Sequence, residues 1–245
     1  MNRKMVRQIA LGSLALFVAL STTWQGLAQD AKTPYPSMAP LDQYLMPDRD
    51  VEIAMARSAA PESISRDAEV MVLGRDGYET TNKGKNGFVC VVQRSWIAPF
   101  DDPEFWNPKR RGPNCLNPAA VRSVLPQYLR RTEWALAGMG KEEMSEETRA
   151  AVASGGFAAP EPDSLSFMLS KQGYLGDEAA GPWLPHLMFF LPHGTATAWG
   201  AGLDGSPILA AEGRPFELTV VLIPVRRWSD GSPAPAPASE HHHSP

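Results

Sequence analysis

Apolar residues run or alternate in six short stretches, and elsewhere they recur at helical spacing. Residues 70–73 and 78–81 read as strands separated by the turn GRDG. Residues 88–94 follow as a third strand after KGKNG, whose Asn-Gly pair is typical of tight hairpins. In that third stretch Phe88, Cys90, Val92 and Arg94 share one face, while Val89, Val91 and Gln93 share the other. Both faces are apolar until the end, so a central strand is expected. Further strands are expected at 165–170, at 186–191 (HLMFFL, apolar on both faces and so buried) and at 216–225.

Helical signals lie between. Asp48 or Asp50 can cap a short helix over 51–55, closed by Pro61 and Ser63, that lies on the sheet. Asn117-Pro118 is a cap followed by a first-turn proline, and Pro126 divides a short helix from a longer one at 127–137. Another, about 142–153, stops at Gly155-Gly156. Strands, then helices, then strands predict an α+β fold: one domain over 48–229, with a mostly antiparallel sheet of about six strands and helices on one face.

Two irregular segments interrupt this pattern. Residues 95–115 carry Pro99, Pro103, Pro108 and Pro113 among alternating charges, and Phe100, Phe105 and Trp106 suggest that the segment packs inward. The second is 171–185 (KQGYLGDEAAGPWLP). Residues 29–47 are expected to form an extended lead-in that packs little, and 230–245 a disordered tail.

Arg3, Lys4 and Arg7 precede an apolar run at 9–20, and Gly26 and Ala28 sit in a small-x-small arrangement. Residues 1–28 therefore read as a signal peptide, too short in its apolar part for a membrane span. No cysteine near the cleavage point suggests a lipid anchor, so a soluble periplasmic or secreted protein is expected. The formal charge is -4, and the leader holds three of the cations, which leaves a more acidic mature chain. That balance argues against a nucleic-acid partner. No later apolar run predicts a membrane span in the mature chain.

An oxidising compartment favours a disulfide between Cys90 and Cys115; the other reading is a small buried thiol in an apolar strand. With no CxxC, no HExxH, and only His186 and His193 outside the tail, no metal and no cofactor is expected. The acids of DDPE (101–104) lack the spacing of a known calcium loop. Lys109-Arg110-Arg111 reads as a solvated turn.

Candidate chemistry gathers near the irregular segments. Arg94 ends the central strand and needs a carboxylate from Asp101, Asp102, Glu104 or a ligand. His186 is a candidate general base, with Ser95, Tyr174 or an acid from 101–104 assisting, or else a strand-end histidine bonded to a backbone carbonyl. Trp96, Trp106, Tyr174 and Trp183 would line a pocket with Arg94 and His186 if the two segments meet; otherwise they pack loops onto the sheet.

The strings GYET (77–80), NGFVC (86–90), RSW (94–96), FDDPEFWNP (100–108), SKQGYL (170–175) and PHLMFF (185–190) resemble those of a family of uncharacterised exported bacterial proteins. The resemblance implies export and one domain, and no reaction. Three readings follow: a binding protein for a small molecule, anionic if Arg94 supplies the charge; a hydrolase with His186 as base; and an envelope protein that contacts another protein.

Overall fold

The structure is a computed structural model that describes residues 34–177, 184–213 and 218–235. The expected leader at 1–28 and the tail from 236 onward lie outside them. Asp48 caps α1 (Arg49–Arg57), its carboxylate accepting from Asp50 N at 2.8 Å and Val51 N at 3.4 Å. Pro61 then starts the single turn of α2 (Glu62–Ser65). The hairpin β1 (Glu69–Gly74) and β2 (Gly77–Asn82) closes through Gly77, whose φ of 128° a residue with a Cβ rarely adopts.

β3 (Val89–Gln93) does not continue a meander. It pairs with β1 in parallel, Glu69 opposite Val89 and Val70 opposite Cys90. The KGKNG stretch is therefore a crossover past the start of β1 rather than a hairpin. Gly84 makes the crossing possible, because a Cβ there would meet Glu69 N at 2.4 Å. Asn86 secures it by donating to Ile64 O at 2.8 Å and accepting from Phe88 N at 3.1 Å.

β4 (Gly112–Leu116) pairs antiparallel with β3 and was not expected, because Pro113 reads as a strand breaker. The proline is tolerated because β5 (Leu165–Met168) reaches only Cys115 and Leu116, so β4 is locally an edge at Pro113. Asn117 caps α3 (Pro118–Ser123) by accepting from Ala120 N at 2.9 Å. The chain breaks at Val124 before α4 (Leu125–Leu136), and α5 (Lys141–Ala153) follows.

β6 (His186–Pro192), β7 (Leu209–Gly213) and β8 (Leu218–Pro224) complete an eight-stranded mixed sheet in the order β2-β1-β3-β4-β5-β6-β8-β7. β7 falls in a stretch read as loop. The α+β class and the mostly antiparallel pairing match expectation; the sheet is wider by β4 and β7.

Helices cover both faces, not one. Ala56, Ala59 and Ala60 pack on Val70, Val72, Cys90, Val92 and Cys115 on one side. Val89, Val91, Leu116, Ala120, Val124 and Tyr128 form the core on the other. The lead-in also differs from expectation. Tyr44 is fully buried, with Tyr35, Met38 and Leu41 packed against the second core, and its hydroxyl donates to Trp106 O at 2.7 Å. Past 229 the chain still holds hydrogen bonds, Ala234 N to Arg226 O at 2.9 Å and Lys171 to Asp230 at 2.7 Å, so residues 230–235 are ordered against the fold.

Cys90 and Cys115 are directly paired across β3 and β4 and form a disulfide. No helix among the described residues is long and apolar enough to cross a membrane.

The sheet outgrows its cover. Seven strand spacings of about 4.8 Å make it roughly 34 Å wide, against about 10–12 Å for one helix. α3 and α4 cover the β1–β4 part of their face, and β6, β8 and β7 continue beyond it.

Candidate functional site

Arg94 is not a ligand group. Its side chain is fully buried, with Nη2 2.9 Å from Glu52 Oε1 and Nε 2.8 Å from Tyr44 O. Glu52 Oε1 also accepts from Leu73 N at 3.1 Å. The carboxylate thus comes from α1, not from Asp101, Asp102, Glu104 or a ligand, and the pair ties α1 and the lead-in to the end of β3.

The neighbouring candidates are interior too. Ser95 is fully buried in a 3₁₀ turn, Ser95–Ile97. Trp96 has no exposure; its indole N–H donates to Thr132 Oγ1 at 3.0 Å and its ring lies 4.9 Å from Tyr44. Trp106 is 4 % exposed and stands edge-on to Phe105. These rings pack the 95–115 segment inward, as the alternative reading had it. Trp183 lies outside the described residues.

The two irregular segments do meet, but as a fastening. Arg111 and Tyr174 exchange backbone hydrogen bonds of 2.9 and 2.8 Å. Glu104, 3 % exposed, accepts from Asp177 N at 2.8 Å and from Asn107. Gly176 fits because a Cβ would fall 2.5 Å from the Glu104 carboxylate. Tyr174 and Tyr35 both donate to Asp177, and Lys109 pairs with it at 3.1 Å. Together Tyr174, Tyr35 and Lys109 hold the Asp177 carboxyl down at about 2. The basic triplet is likewise not simply solvated: Arg110 pairs with Asp102 at 2.8 Å in a half-buried setting, and Arg111 donates to Pro108 O at 2.7 Å. Among the described residues no cluster of His, Cys, Asp and Glu is placed to hold a metal ion.

His186 sits elsewhere, on a cleft of about 1210 Å³ over the uncovered sheet face. Register defines the floor: Gln93, Gly112 and Met168 continue through His186 and Met188 on β6 to Val220 and Leu222 on β8. One wall is the 97–102 segment, held to α4 by Arg131, whose fully buried guanidinium donates to Ala98 O at 2.7 Å and lies 4.3 Å over Phe100. Burial lowers the Arg131 pKa to about 9. The first two turns of α5 form the rim, with Lys141, Glu142, Glu146 and Arg149.

β6 had been expected to be buried on both faces. It is half-buried on both faces along most of its length: His186 and Met188 line this cleft, and Leu187, Phe189 and Leu191 on the opposite face are no more deeply covered. Its apolar, two-sided sequence is the signal of the cleft, read in the sequence as a core strand.

His186 Nδ1 lies 2.8 Å from Leu184 O, the backbone bond of the plainer reading. Burial lowers its pKa, and the bond to Leu184 only partly offsets this. The unfolded imidazole therefore takes up a proton first as pH falls. Stability contributed by a neutral His186 is complete above the unfolded value of about 6.5 and declines below it. The urea midpoint should therefore fall between about pH 7.5 and about pH 5, and fall less in His186→Gln. An equal fall in both proteins would contradict this assignment.

Comparisons of the chain with protein-family models, with curated proteins and with solved structures return no match.

Proposed function

We propose that this is an exported binding protein whose cleft takes a small, largely apolar molecule. The observation that carries the reading is the partial exposure of Met188, Val220 and Leu222 on the floor of a walled cleft of about 1210 Å³. Apolar strand residues left unpacked in a concavity bounded by a few polar groups are the usual make-up of a small-molecule site. The N-terminal pattern of charge and apolar residues and the buried disulfide support export to the periplasm or beyond.

The anionic preference loses its basis with Arg94. Around the cleft, Arg94, Arg110, Lys141 and Arg149 are matched by Asp101, Asp102, Glu142 and Glu146, and Arg94 is already paired with Glu52, so no cationic excess draws an anion. A hydrolase built on His186 loses two of its assistants, since Ser95 is in the core and Tyr174 is bonded to Asp177 away from the cleft lining; Asp101 and Asp102 do share the cleft with His186, but Asp102 is already paired with Arg110 at 2.8 Å. An envelope contact would use a flatter apolar surface, whereas the exposed Val51, Leu175 and Leu209 are spread over separate elements and Trp199 and Leu203 alone share a segment among the described residues.

The fluorescent probe N-phenyl-1-naphthylamine should bind with a micromolar dissociation constant and brighten. Leu222→Trp, which pushes an indole into the cleft from a half-exposed position, should weaken it about tenfold or more, a change of about 1.4 kcal/mol. The urea midpoint of that variant should stay near that of the parent. A protein that fails to brighten the probe, or a variant that binds it unchanged, would overturn the reading.

A further inference from the structure

Gln93, Arg110 and Tyr128 gather at the β3–β4 end of the cleft, beside Ile97 and Phe100, and Met188, Val220 and Leu222 at its β6–β8 end, beside His186. Four strand spacings of about 4.8 Å separate β3 from β8, roughly 19 Å. Between them Gly112 leaves the floor low: a Cβ would already touch Met168 Cε at 3.4 Å and Gln93 Cβ at 3.5 Å, so a longer side chain would rise into the cleft.

Gln93 Nε2 and Arg110 Nε are buried donors with no hydrogen bond of normal geometry among the described residues, and the Gln93 amide also faces the Tyr128 hydroxyl. Gln93 is opposite Gly112, two residues along from Arg110, so both donors belong to one corner. A buried donor without an acceptor is destabilising, and an incoming oxygen offsets that once the side chain turns to it. The Arg110 charge is already balanced by Asp102 at 2.8 Å. A full negative charge would find no uncompensated cation in this corner, whereas a neutral oxygen needs none.

Resting on the cleft-binding reading, we infer that the ligand is a single-chain amphipath. Its uncharged oxygen-bearing head, such as the carbonyl of an amide or ester, lies against Gln93 and Arg110, and its chain crosses Gly112 and Met168 toward β8.

The test uses the mature chain and displacement of N-phenyl-1-naphthylamine by N-methyldodecanamide, N-methyloctanamide, dodecanoate and dodecylammonium. The dodecanamide should bind best, beating dodecylammonium by about tenfold or more. Each pair of added methylenes between the two amides should tighten binding roughly tenfold. Gln93→Leu should weaken the amide about tenfold more than it weakens the probe, and Gln93→Glu, which replaces the donor by an acceptor, should do the same. Gly112→Leu should weaken dodecanamide more than octanamide. Dodecanoate binding tighter than the amide would overturn the neutral head. Equal loss of probe and amide in both Gln93 variants would overturn the head's position while the cleft reading stands. No probe binding in the parent protein would sink both.

Discussion

Arg94→Met should lower the free energy of unfolding by about 3–5 kcal/mol, the usual cost of stranding one partner of a buried ion pair. The substitution leaves the Glu52 carboxylate inside the core, with Leu73 N still donating to it at 3.1 Å. It also strips Tyr44 O and Val92 O of their guanidinium donors. Removing the charge from both sides should cost less than removing one: Arg94→Met combined with Glu52→Gln should recover part of the loss. The measurement is guanidinium unfolding of the three variants. A loss below about 1 kcal/mol for Arg94→Met would show that the pair is not the clamp described here. Affinity for N-phenyl-1-naphthylamine should change far less than stability: Arg94 borders the cleft, but its guanidinium is committed to Glu52 and Tyr44 O.

The second large effect belongs to the disulfide. Cys90 and Cys115 are 25 residues apart, and a loop of that length is worth about 3.5 kcal/mol in the chain-entropy model. Replacing both by alanine should lower stability by about that amount. The loop it closes contains the 97–102 wall of the cleft, so probe affinity should fall with the bridge. Because both sulfurs are in the core, with neither cysteine exposed, reductant alone should act slowly on the native protein and quickly once urea opens it. A reduced parent protein as stable as the oxidised one would contradict this.

Local signals predicted much of the fold because their causes are local. Asp48 and Asn117 cap helices wherever the chain places them, and the two apolar faces of residues 88–93 required cover on both sides. What was hidden depended on partners distant in sequence. KGKNG carries a hairpin signature, yet Gly84 uses its missing Cβ to pass Glu69. Pro113 argued against a strand, and only the shortness of β5 makes it acceptable. Arg94 was correctly seen to need a carboxylate, but Glu52, 42 residues earlier on a helix, gave no sign of being it. His186 is visible in the sequence as a candidate and does line the cleft, whereas nothing in the sequence marks Gln93, Arg110 or Gly112 as cleft residues, because a low floor and a buried donor beside it exist only once the sheet has formed.

The most direct test of the cleft is photoaffinity mapping with a long-chain N-alkyl amide that carries a diazirine at the end of its chain. After irradiation and proteolysis, saturable label should fall on the peptides of β6 and β8, His186–Pro192 and Leu218–Pro224, and be competed by N-methyldodecanamide. Label concentrated on β2, on the 197–206 surface or spread without saturation would contradict it.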